Sequence, residues 1–70
     1  MNEPINLDEA SNEELDAVID DPGSHRLQQA YARERKVARG LRLAGKIESA
    51  LWHEARSAEI YRALPRKLRW

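Results

Sequence analysis

The run from His25 to Leu64 holds no proline, and only Gly40 and Gly45 interrupt it. A chain that spends more than half its length this way is committed to helices, because nothing else in the run stops one. Each glycine costs about 1 kcal/mol against alanine in a helix interior. The apolar pattern nevertheless keeps its phase across both, through Val37, Leu41, Ala44, Ile47, Leu51, Ala55 and Ala58. That continuity favours one continuous or gently kinked helix, which at 1.5 Å per residue would reach roughly 58 Å. Leu27, Ala30, Tyr31, Ala38 and Leu41 drift away from the stripe centred on Leu51 in the sense of a 3.5-residue repeat, as in left-handed supercoiling. The alternative is a break near Gly45, giving two antiparallel helices and, with a preceding short helix, a three-helix bundle.

That short helix is marked at both ends. Ser11-Asn12-Glu13-Glu14 has the capping-box form, and Leu15, Val18 and Ile19 follow on one face. Asp20-Asp21-Pro22-Gly23 ends it, since Pro22 restricts Asp21 and Gly23 suits a turn. Ser24 offers the next N-cap, and Pro65 stops the basic helix before a tail, Arg66 to Trp70, whose Leu68 and Trp70 are placed to fold back on Tyr61 and Leu64. The expected organisation is all-α. Residues 1–10 form a flexible acidic N-terminus and 11–70 one small helical domain, with a helix over about 11–20, a turn over 21–24, a basic helix or helices over about 25–64 and the tail 65–70.

Core material is scarce. Eight Leu, four Ile and two Val stand against ten Ala and no Phe. Chains of this size bury only about 60% of the surface their unfolded form exposes. A helix of about ten residues, marginal alone, cannot cover a companion several times longer. The stripe from Val37 to Ala58 is therefore expected to need a partner, either another protein or a second copy.

The formal net charge of zero conceals strong segregation. Residues 1–21 carry eight acids and no base, whereas 22–70 carry all twelve bases and four acids. Arg35, Arg39, Arg42 and Lys46 recur at i, i+4, i+7 and i+11, a straight row on the side away from the stripe. Such a row suits a polyanion, through salt-sensitive phosphate contacts, or a carboxylate-rich protein surface. It equally suits an acidic segment of the same chain, or plain solvent.

Several chemistries are excluded or disfavoured. Without cysteine there is no disulfide framework, thiolate metal site or thiol nucleophile. Gly40 to Lys46 satisfies G-x-x-x-x-G-K, but Ile47 stands where the Mg²⁺-binding hydroxyl belongs and no strand precedes it. His25 and His53 lack a second histidine or carboxylate at helical zinc spacing, and Ser11, Ser24, Ser49 and Ser57 lack a nucleophile elbow. No catalytic residue, metal site, cofactor or small-molecule substrate is expected. Tyr31 and Trp52, the only mid-chain aromatics, read as core packing. The acidic start and the absence of a long apolar run argue against a signal peptide or membrane span, so a cytosolic location is expected.

Two fragments, Ser11 to Asp20 and Ile60-Tyr61 through Leu64-Pro65 to Trp70, loosely resemble the Hha family of small helical bacterial nucleoid modulators. The middle of the chain departs from that family in length and pattern, and no residue's role is carried over. The expectation is a small non-enzymatic regulator or adaptor that binds protein and self-associates. The alternative is a nucleic-acid-binding regulator, of cellular, phage or other mobile-element origin, that uses the basic row.

Overall fold

Three α-helices and a terminal 3-10 turn make up the secondary structure of the computed structural model, which describes residues 4–70. They are α1 (Asn12–Asp20), α2 (Arg26–Leu43), α3 (Ile47–Ala63) and the turn Arg66–Leu68. The capping box closes α1 as the sequence predicts: the Glu14 N–H donates to the Ser11 hydroxyl (3.1 Å) and the Ser11 N–H donates to the Glu14 carboxylate (2.9 Å). After α1 the Asp21 carboxylate accepts from the Gly23 N–H (2.8 Å) in an Asx turn. Capping of α2 then falls one residue later than Ser24, on His25, whose Nδ1 accepts from the Leu27 N–H (3.1 Å). Gln29 donates back to the carbonyls of Ile19 (3.2 Å) and Asp21 (2.9 Å), so a side chain of α2 satisfies the end of α1 and fixes how the two helices meet.

The helical run does not continue through Gly45. Helix α2 stops at Leu43 in a Schellman motif: the Lys46 N–H donates to the Leu41 carbonyl (2.8 Å), the Gly45 N–H to that of Arg42 (3.0 Å), and Gly45 takes φ +78°. The expected rod of roughly 58 Å at 1.5 Å per residue is replaced by a molecule 40 Å in its longest dimension. Helix α3 returns antiparallel along α2, with Glu54 beside Arg42, His53 beside Glu34 and Tyr61 near Tyr31. The reversal wins because it buries what a straight helix would leave in water. Tyr31, Ala38, Ala50, Ser57 and Leu64 are all buried. Small side chains at Ala38, Ala50 and Ser57 let the two backbones approach, and the Ser57 hydroxyl donates to the Glu54 carbonyl (2.7 Å).

The core lies at the end of the hairpin remote from Gly45. Leu7, Ala10, Leu15, Val18, Tyr31 and Ala32 form it, with Ile19, Ile60, Tyr61 and Trp70 packed around them. Leu7 and Ala10 belong to the stretch expected to be flexible. Both are buried against the helices, whose scarce aliphatics leave room for the N-terminal segment as cover; residues 1–3 lie outside the described residues. The tail folds back as anticipated. The Trp70 ring meets Tyr31 and Tyr61 edge-on, each at 4.8 Å, and the Arg69 guanidinium donates to the carbonyls of Arg62 (2.7 Å) and Leu64 (3.1 Å) at the end of α3.

The two hairpin glycines separate cleanly in a test. A Cβ at Gly40 meets nothing within 4 Å and sits inside α2, so Gly40→Ala is expected to raise stability by about 0.5–1 kcal/mol. Gly45→Ala forces an alanine to positive φ and is expected to cost about 1–2 kcal/mol. Thermal unfolding followed by circular dichroism reads both; equal shifts would show that Gly45 is not the residue holding the reversal.

Candidate protein-docking face

The half of the hairpin nearest Gly45 is covered poorly. Leu43 is 89% exposed, Trp52 59% and Leu51 51%, with Val37 and Ile47 nearly as open. Every large exposed apolar side chain among the described residues except Ile5 therefore lies between positions 37 and 52. Of the seven stripe residues, Val37, Ala44, Ile47, Leu51, Ala55 and Ala58 are exposed and Leu41 is half-buried. The shortage of cover foreseen from the sequence has a different cause, however. Helix α2 is covered mainly by α3, and the stripe is simply left out of their seam.

The reversal also divides the stripe. Glu54 faces the flank on which it meets Arg42, and Ile47, Leu51 and Ala58 share that side of α3 at spacings of seven, three and four residues from Glu54. Leu43 sits one turn beyond Arg39, which donates to the Asn12 side chain (3.1 Å) and the Asp8 carbonyl (3.3 Å), so it opens onto the same flank just past the reach of α1. Glu34, His53 and Arg56 mark the opposite flank, where the His53 Nδ1 lies 2.7 Å from the Glu34 carboxylate. Trp52 is there rather than in the core. Its ring meets His53 edge-on at 4.9 Å, the Arg56 guanidinium stands 5.5 Å from its centroid, and with Ala55, Arg56 and Glu59 it lines a shallow depression of about 270 Å³. Val37 is set apart again, in a hollow with Ile19, Arg33 and Lys36. A stripe drawn on one straight helix cannot anticipate this, because inserting the left-handed Gly45 resets the phase of everything after it.

The basic row is largely engaged within the chain. The Arg35 Nε lies 3.9 Å from the Asp8 carboxylate, Arg39 holds Asn12 and the Asp8 backbone, and Arg42 forms a two-pronged pair with Glu54 at 2.5 and 2.9 Å. That pair lowers the Glu54 carboxyl and raises the Arg42 guanidinium from their ordinary values. Arg39 and Lys46 have no ion-pair partner among the described residues, and Lys46 alone of the four lacks a side-chain hydrogen bond as well. Lys36, outside the row, pairs with Asp16 of α1.

Asp8 is the polar centre that sequence reading missed. Its carboxylate accepts from the Tyr31 hydroxyl and, at 3.0 Å, from the Trp70 indole N–H, with Arg35 alongside. It thereby ties the N-terminal segment to α2 and to the tail. Partial burial raises its carboxyl, but the hydrogen bonds from Tyr31 and Trp70 and the charges of Arg35 and Arg39 outweigh that, leaving it below 3.8. Burial, with the Asp8 carboxylate beside it, pushes the Tyr31 phenol up to about 12. No spacing rule links an aspartate at 8 to rings at 31 and 70; only the fold brings them together.

No family model, curated protein or solved structure matches the chain. None of the helices among the described residues is long and apolar enough to cross a membrane.

Linkage gives the Asp8 cluster a pH signature. The depressed Asp8 contributes stability that is complete above 3.8 and lost as pH falls through its folded value. The raised Tyr31 contributes stability that is complete below 10.0 and lost as pH rises through about 12. In Asp8→Asn the acid limb of the stability profile is expected to flatten, and the most alkaline step of the phenolate absorbance to move down toward 10.0. An unchanged alkaline step would sever the link between the two side chains.

Proposed function

We propose that the chain is a small helical adaptor or regulator that acts by binding protein through the end of its hairpin, without catalysis of its own. The observation that carries this reading is the confinement of the exposed bulky apolar residues Val37, Leu43, Ile47, Leu51 and Trp52 to that end. A chain short of aliphatics has buried Leu7 and Ala10 to complete its core, yet leaves five bulky apolar side chains open to water at this end. Trp52 with Arg56 against its ring is also the side-chain chemistry that contributes most strongly at protein interfaces. Nucleic-acid binding through Arg35, Arg39, Arg42 and Lys46 is the weaker reading, since the first three would have to leave Asp8, Asn12 and Glu54 to reach phosphates.

Affinity purification of the tagged chain from its native cell tests the proposal. A stoichiometric protein partner is expected with the wild type and is expected to be lost, with helicity unchanged, in Leu51→Lys or Trp52→Ala. Removal of one such anchor costs about 1–4 kcal/mol in an interface, tenfold or more in affinity. Capture of nucleic acid that weakens steeply with salt and with Arg39→Ala would reverse the preference between the two readings.

A further inference from the structure

We infer that the cavity lined by Asp8, Tyr31, Tyr61, Arg62 and Trp70 is a binding site for a guanine nucleotide, with the base against the three rings, its N–H groups on the Asp8 carboxylate and its phosphate on Arg62. The inference goes beyond the protein-binding reading and concerns the other end of the hairpin from Leu43 and Trp52.

The cavity holds about 480 Å³, within the size range of small-molecule sites. Trp70 stands edge-on to Tyr31 and Tyr61, at 75° and 70°, so the rings are inclined to one another and do not form one stack. A planar base adds to such a wall by stacking or by edge contact. Asp8 supplies the polar selectivity. Its side chain remains 49% exposed. An ionised carboxylate offers about four acceptor sites, and the Tyr31 hydroxyl and the Trp70 indole N–H take one on each oxygen. The Arg35 Nε stands 3.9 Å away, too far to take another, and is buried without a hydrogen-bond partner among the described residues. Each oxygen thus keeps acceptor capacity. Guanine presents two adjacent donors, a ring N–H and an amino group, that match a pair of carboxylate oxygens.

Charge selects an anionic ligand. Rings beside a carboxylate would otherwise suit a quaternary ammonium. Asp8, however, is the only acid lining the cavity among the described residues. Arg62 lines it with no ion-pair partner among the described residues, Arg35 and Arg39 act on Asp8 from α2, and the Arg69 guanidinium stands 5.8 Å from the Tyr61 ring centroid. Glu54, which also feels Arg35, is already paired with Arg42. One carboxylate among four guanidiniums repels a further cation and attracts a phosphate. A phosphorylated tyrosine would satisfy Arg62 and the rings, but its own ring brings no N–H to Asp8.

Titration of the full chain with guanosine monophosphate, read by calorimetry and by the indole N–H resonances of its two tryptophans, provides the test. Saturable one-to-one binding is expected, with a shift of the Trp70 resonance and none of Trp52. Inosine monophosphate, which lacks the amino group, is expected to bind about tenfold more weakly, and adenosine monophosphate more weakly still. Arg62→Glu is expected to weaken guanosine monophosphate by about tenfold or more, while helicity and the binding of unphosphorylated guanosine stay unchanged. An oligouridine carrying one guanosine separates the sources of the ligand: tighter binding than the free nucleotide assigns the site to single-stranded RNA, and equal or weaker binding assigns it to the free nucleotide. Equal affinity for all nucleotides and inorganic phosphate, a preference for choline or phosphotyrosine, a shift of Trp52 in place of Trp70, or no binding of guanosine monophosphate and the guanosine-bearing strand at millimolar concentration would each overturn the inference. None of these outcomes bears on capture of a protein that depends on Trp52.

Discussion

The reversal at Gly45 is the constraint on which the rest of this structure depends. One residue with φ +78° and two crossed backbone hydrogen bonds turn a helix-forming run into a hairpin. Everything built from the contact of α2 with α3 follows from it: the close approach at Ala38, Ala50 and Ser57, the Arg42–Glu54 pair, and the meeting of Tyr31 with Tyr61. Glycine pays no Cβ penalty at that φ, and the connection is only Ala44 to Lys46, so the return is tight and the two helices stay in contact from the turn onward.

The hairpin alone would still be a thin two-layer object. Its remote end is thickened by three additions: the segment containing Leu7 and Ala10 and the tail ending in Trp70, which are joined at Asp8, and the short helix α1. Charge segregation along the chain acquires a structural purpose here. Asp8 and Asp16 from the acidic part lie against Arg35 and Lys36 from the basic part, so the two halves attract across the first helix interface. Such partly exposed pairs contribute little each, about 0–1 kcal/mol, and guide orientation more than they supply stability.

The helical class, the capping box at Ser11, the stops at Pro22 and Pro65 and the folded-back Trp70 were all legible in the sequence, because each is a local signal whose geometry is set within a few residues. The choice at Gly45 was not, since a glycine inside an in-phase apolar pattern is compatible with both a straight helix and a cap, and only the burial gained by α3 decides between them. The same ambiguity displaced Trp52 from the expected core and broke the Val37 to Ala58 stripe across different sides of the hairpin. Asp8 was invisible for another reason: its partners lie 23 and 62 residues away.

The uneven distribution of packing between the two ends gives the molecule a gradient of local stability. At the Asp8 end, opening any one element breaks bonds to the others, so fraying there is cooperative. Toward Gly45 the helices touch through alanines, the Arg42–Glu54 pair and the part-buried contact of His53 with Glu34, and no third layer holds them among the described residues. Thermal breathing is thus concentrated where Leu43 and Leu51 are presented. The Gly45 end is the one left free to change its splay, while the far end keeps the hairpin in register.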